Sequence, residues 1–297
     1  MNAFEVSALC KHYRKVESVS GLNLTIKEGT CLGLIGPNGA GKSTFLRMLV
    51  GLLAPTSGNV LVLDDDMTTD GAAIRQHVGY VPDDPKLFPW MTVSEVIEFA
   101  AGVYKHWDAS LVADMRESFG LPNDRKISQL SRGMRMKASL LVALGHRPKL
   151  LLLDEPMAGL DPLARDELVE ILVDAQSAQG ATVVFSSHQI DDVTRIADEI
   201  AILHKGTLLE HSTTEKMLAD TRRVEAVLHD GRLPDVEVPN TIWQQIERRR
   251  WSFTVTQWSD LISQLVNDSS AVESHATSAL NIEQIYKDWI LGASKPC

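Results

Sequence analysis

One stretch of eight residues constrains this chain more than any other. Gly36, Pro37, Asn38, Gly39, Ala40, Gly41, Lys42 and Ser43 match the spacing GxxxxGK[ST], with an apolar run before them, Thr30 to Ile35, and apolar residues at helical spacing after them. Strand, glycine-rich loop, helix is the order in which backbone N–H groups can wrap a polyphosphate. The glycines allow close approach, and the helix N-terminus adds partial positive charge. Lys42 then reaches the outer phosphates, Ser43 is the natural magnesium ligand, and Thr44 completes the set of phosphate-binding candidates around the loop. Phe45, Leu46, Met48, Leu49 and Leu52 continue the helical pattern, which Pro55 is expected to stop.

The rest of the chain reads as α/β. Phe4 to Leu9 and Gly21 to Ile26 alternate as antiparallel strands, forming a β subdomain. Leu150 to Leu153 and Thr182 to Ser186 read as buried strands with a helical stretch, Pro162 to Ala178, between them, as in crossover units of a mostly parallel sheet. From about 84 to 147 the pattern is helical: Val93 to Tyr104, Leu111 to Phe119 and a stretch beginning at Ser131. After Arg222 the character changes, with strand-like Val224 to Leu228, Phe253 to Gln257 and Glu273 to Ala276, and helical Asp260 to Val266 and Ile282 to Ile290. The expected organisation is a P-loop nucleotide-binding domain over 1–221 with a helical insertion at about 84–147, then a small α/β appendage over 222–297. Four of the six tryptophans, Trp243, Trp251, Trp258 and Trp289, fall in that appendage, where core or subunit-interface packing is their ordinary use.

Composition enters as exclusion. Lys plus Arg is 29 and Asp plus Glu is 39, a net charge of −10, which argues against nucleic acid as a partner held through its phosphates. The cysteines, Cys10, Cys31 and Cys297, form no CxxC pair and suggest neither a disulfide framework nor a zinc site. The first fifteen residues lack a secretory pattern, and no stretch approaches the roughly 18 apolar residues of a spanning helix, so a cytoplasmic chain is expected.

A second element supplies carboxylates. Leu150 to Leu153 bury a strand and leave Asp154 and Glu155 at its end. Downstream of a phosphate loop, Asp154 suits magnesium, and Glu155 suits the polarisation of an attacking water. Between the two elements stands Leu130-Ser131-Arg132-Gly133-Met134, and here the chain resembles the ATP-binding subunits of ABC transporters, whose signature is LSGGQ. The resemblance covers about residues 4 to 220. Tyr13 falls where an aromatic residue stacks on adenine, Gly159-Leu160-Asp161 resembles the D-loop, and His188 in Ser186-Ser187-His188 resembles the switch histidine.

The resemblance implies a magnesium-dependent ATPase with Glu155 and His188 catalytic. Ser131 and Gly133 would meet the γ-phosphate across a head-to-tail pair, either a homodimer or a heterodimer. It also implies a separate transmembrane permease that holds the chain at the cytoplasmic face of the membrane, with Phe88, Pro89 and Trp90 near the permease groove. The single ATP-binding domain and the appendage motif Asn281-Ile282-Glu283-Gln284-Ile285-Tyr286 are similar to export systems of the ABC-2 type. The alternative is a soluble ATPase of the same family acting on ribosomes or DNA. Two departures stand out. Arg132 replaces the first glycine of the signature, pointing to solvent or adding a cation near phosphate, and Met134 replaces its Gln. Asp83, in Val81-Pro82-Asp83, stands where the family carries Gln, and its oxygen can still reach magnesium.

Overall fold

The computed structural model describes every residue except Gln179, Leu233, Asp235, Val236 and residues 295–297, so Cys297 lies outside the described residues. Packing divides the chain into two units, Met1–His211 and Ser212–Cys297.

In the first unit β1 (Asn2–Tyr13) and β2 (Val16–Lys27) pair antiparallel, and their alternation buries Phe4, Val6 and Leu9 with Leu22, Leu24 and Ile26. β3 (Cys31–Ile35) is buried at every position, as a strand covered on both faces must be. It feeds the glycine loop and α1 (Lys42–Leu49). This helix ends well before the expected stop at Pro55, because Gly51 beyond the Val50 cap turns left-handed at φ +69° and terminates the coil by itself. β4 (Ser57–Val62) and β5 (Asp65–Asp66) complete a four-stranded sheet in the order β2-β1-β4-β5, and α2 (Met67–Ile74) follows.

Past β6 (Val78–Val81) come α3 (Val93–Val103), α4 (Ala109–Ser118) and α5 (Arg132–Leu144), each started by a side-chain cap: Thr92 in a box with Glu95, Asp108, and Ser131. They enclose a separate core around Val96, Val112, Phe119, Ile127 and Leu141. The chain then returns through β7 (Leu150–Leu153), α6 (Pro162–Ser177), β8 (Thr182–Ser187), α7 (Ile190–Thr194), β9 (Glu199–His204) and β10 (Thr207–Thr213). The second sheet has the order β10-β9-β3-β8-β7-β6, parallel from β9 to β6. Its register sets Ile35 beside Ser187, Phe185 beside Leu153 and Leu153 beside Val81. Four strand ends therefore line one edge, the edge at which open α/β sheets bind ligands.

The second unit contains α8 (Thr214–Asp220), β11 (Arg222–Leu228), β12 (Thr241–Glu247), β13 (Arg250–Val255), α9 (Asp260–Asn267), β14 (Val272–Ala279) and α10 (Ile282–Ala293). Its antiparallel sheet, β12-β13-β11-β14, covers a core of Val224, Phe253, Val255, Ile262 and Val266. β12 has no clear alternation in sequence, since no position in it is fully buried. Trp251 is buried against Phe253, whereas Trp243, Trp258 and Trp289 are half-buried. Among the described residues no helix is long and apolar enough to cross a membrane. Cys10 and Cys31 are free thiols, and burial pushes the Cys31 thiol up to about 12.

Candidate active site

The glycine loop lies at the shared strand edge because β3 ends there and α1 begins there. Gly41 occupies the N-cap of α1 at φ +105°, with no side chain capping the helix, so the first N–H groups of α1 remain directed at the loop. A Cβ at Gly41 would come within 2.4 Å of the Ser18 carbonyl oxygen, and φ +105° excludes an L side chain in any case. The loop is held from outside by hydrogen bonds: Gly206 N–H to Ala40 O at 2.9 Å and Ser20 N–H to Gly206 O at 2.9 Å. It forms a cleft of about 200 Å³ lined by residues 37–44 with Ser18, Asp83 and Glu155.

Lys42 is 6% exposed, and its ammonium is partnered inside the chain, with Pro37 O the most distant partner at 3.5 Å. It donates to Gly36 O at 2.7 Å and stands 3.0 Å from Glu155 Oε1. The other carboxylate oxygen, Glu155 Oε2, lies 2.7 Å from His188 Nδ1 and accepts the His188 N–H at 3.3 Å. Glu155 itself has φ +49°, a strained left-handed backbone for a residue with a side chain. Lys42, Glu155 and His188 thus form one continuous chain of charged and polar groups.

Asp154 is 1% exposed. Its Oδ1 accepts Ser43 Oγ at 3.0 Å and Ser186 Oγ at 2.9 Å. Its Oδ2 is buried and, among the described residues, has no partner. A buried carboxylate oxygen left without a donor is unfavourable unless a cation or proton source occupies that side. The donor set of hydroxyl and carboxylate oxygens is that of a hard cation such as magnesium. Ser186 also accepts the Glu155 N–H at 2.8 Å, so one hydroxyl clamps both acidic residues. From sequence, Ser186 reads as the end of a buried strand and as a neighbour of His188, with no role of its own. The available signal was a polar residue inside an otherwise apolar buried strand. Ser18 was likewise missed; it faces the loop from β2 and its Oγ lies 2.9 Å from Thr44 Oγ1.

The structure does not bring every expected residue to the cleft. Tyr13 is 45% exposed at the end of β1, with Lys11 Nζ 5.4 Å from its ring centre, and it does not line the cleft. Ser131 and Gly133 start α5 away from it, the Ser131 hydroxyl accepting the Met134 N–H at 3.2 Å. Asp161 caps α6. Arg132 takes neither of the two expected courses as a lone group: its Nη2 pairs with Asp83 Oδ1 at 3.3 Å. Outside the cleft, cross-strand pairing places ligand atoms of Cys10, His12 and Glu17 within 4.8 Å of one another, an arrangement with no spacing signature in sequence.

A family model described as ABC transporter matches residues 19–158. The chain is 36% identical over 208 residues to the uncharacterized ABC transporter ATP-binding protein YxlF of Bacillus subtilis (strain 168), covering 68% of each. It is 35% identical over 208 residues to the linearmycin resistance ATP-binding protein LnrL of the same organism, covering 68% of this chain and 67% of LnrL. Among solved structures, the dimeric bacterial ABC transporter cassette MJ0796 resembles it with a TM-score of 0.64 at 25% identity, over 71% of this chain and 98% of that one.

Proposed function

The chain belongs to the family of ABC transporter ATP-binding proteins, and from that premise we propose that it binds ATP with magnesium, hydrolyses it and drives a separate membrane permease. The observation that carries the reading is the linked set Lys42, Glu155 and His188 beside the Ser43–Asp154 pair. The loop N–H groups and Lys42 bind the phosphates; Ser43 and Asp154, with Asp83 at the cleft wall, hold magnesium. When bound, the ion neutralises phosphate charge. A γ-phosphate entering the cleft offers Lys42 and His188 a competing anion. Glu155 is then freed from both partners and can accept a proton from water, the general-base role. Until phosphate arrives, the same carboxylate is held by Lys42 and His188.

Tyr13 stacks on the adenine in this reading. Ser131 and Gly133, at the start of α5, complete the site of a second ATP-binding subunit, a role consistent with the dimeric state of MJ0796. Neither residue lines the cleft of its own chain, which fits a contact made in trans. Phe88, Trp90 and Phe99 are 38%, 65% and 51% exposed and pack ring on ring at 5.3 and 5.4 Å. Three exposed aromatic rings in contact suit a protein interface, here the permease at the cytoplasmic face of the membrane. Export is the proposed direction, supported by the resistance role in the name of LnrL.

The test is phosphate release by the purified chain with magnesium or with EDTA, beside size-exclusion chromatography of Glu155→Gln with ATP. Magnesium-dependent turnover in the wild type and an ATP-dependent dimer of the variant are expected. Equal turnover by wild type and variant would overturn the role of Glu155. A tagged chain recovered from solubilised membranes without any multi-span protein would overturn the permease.

A further inference from the structure

Two of the positions at which the chain departs from the family pattern meet in space. Arg132 Nη2 lies 3.3 Å from Asp83 Oδ1, although 49 residues separate them. The same guanidinium covers Gly159: a Cβ built there would stand 3.2 Å from Arg132 Cζ and 3.3 Å from both Nε and Nη1. Nearly equal distances to three atoms of a planar group mean that the group presents its face to Gly159. A side chain at Gly159 would crowd that plane, and φ +71° opposes one independently. One side chain therefore joins the first turn of α5, the loop after β6 and the loop after β7. Asp83 in turn lines the cleft with Lys42, Ser43 and Glu155.

The geometry points to Arg132 as a positioning residue that competes with the nucleotide's magnesium for Asp83, and so links cleft occupancy to α5. The inference rests on the nucleotide reading above. A carboxylate engaged by a guanidinium meets a second cation less readily than a free one, by the free energy of the existing pair. Arg132 and Asp83 are 51% and 56% exposed, so solvent screens the pair and the effect is about two- to five-fold in affinity. As Asp83 turns to the cleft, the first turn of α5, which carries Gly133 next to the Ser131 cap, loses its tie to the loop after β6 and keeps only the contact of Arg132 with Gly159.

The experiment is calorimetric titration of ATP into the full chain, once with magnesium and once with EDTA. Removing the competitor with Arg132→Gln should tighten magnesium-ATP binding two- to five-fold and leave binding in EDTA unchanged. Arg132→Lys keeps the charge and should restore wild-type affinity. In an Asp83→Asn background, Arg132→Gln should have no further effect. Hydrogen exchange supplies the second readout: amides of the first turn of α5 should exchange faster in wild type once magnesium-ATP is added, and already faster in Arg132→Gln without nucleotide. A shift of equal size in EDTA, or one that persists in Asp83→Asn, would overturn the link. Absence of ATP binding by the wild type would instead overturn the nucleotide reading itself, and this inference with it.

Discussion

Each unit of the molecule contains a buried network of charged and hydroxyl groups, and the two are finished differently. In the second unit Asp288, 3% exposed, accepts Arg223 Nη2 at 2.5 Å and Thr254 Oγ1 at 2.6 Å. Arg223 also donates to Thr254 Oγ1 at 2.8 Å and lies 4.6 Å from the centre of the Trp243 ring. That network closes on itself and ties β11, β12, β13 and α10 together. In the first unit Asp154 keeps a buried oxygen without a partner, and Glu155 is held by groups that a phosphate can draw away. A network that serves folding is saturated by its own members. One that serves binding keeps capacity for a ligand and accepts the associated instability.

The largest effects should separate these two designs. Glu155→Gln is expected to lower ATP turnover by about 10²- to 10⁴-fold with little change in melting temperature, read from phosphate release and calorimetry. Asp288→Ala should do the opposite. It leaves Arg223 without its carboxylate and should cost about 3 kcal/mol in denaturant unfolding, reduced from a fully buried pair because Arg223 keeps 23% exposure. Turnover at a temperature where this variant is folded should stay within about two-fold of wild type. A large loss of turnover in Asp288→Ala would break the distinction between the two networks.

Ser186→Ala sharpens the comparison from within the site, because this hydroxyl both donates to Asp154 and accepts from the Glu155 backbone. The expected loss is about 1–2 kcal/mol of stability together with a drop in turnover, since the residue is at once packing and positioning. Unchanged kinetics in this variant would show that Asp154 and Glu155 hold their places without it.

A smaller effect concerns a buried histidine outside both networks. His146 stacks on Tyr104 with ring centres 3.9 Å apart, and burial lowers its pKa from 6.5 to about 4. Between those values the unfolded chain takes up a proton that the folded chain refuses. Stability is therefore lost as pH falls from about 6.5 towards 4, and is fully present above that window. His146→Phe, which keeps the stacked ring, should flatten this part of the pH–melting curve. An unchanged slope would assign the acid sensitivity to other groups.

Much of this fold was legible because local patterns state it. Alternation marks β1 and β2, continuous apolar runs mark β3, β7 and β8, and Ser131 marks the start of α5. β12 was not, because its residues are half-exposed and its place depends on pairing with β13. α1 ends before Pro55 because a left-handed glycine stops a helix as effectively as a proline, and Gly51 reaches that conformation first.

The sequence by itself determined the chemistry of each segment: a glycine loop before a helix, two acids after a buried strand, a serine at a helix start. Spacing of a few residues sets these, since neighbouring φ/ψ values and helix ends follow from local sterics and hydrogen bonding. Only the tertiary structure decided which segments act on one another. Ser43 meets Asp154 across 111 residues, Ser186 clamps two acids from an adjacent strand, and half-exposed Arg132 pairs with Asp83 across 49 residues. Those partnerships follow from strand register and loop closure, which depend on the packing of the whole sheet and have no expression in the spacing of any one motif.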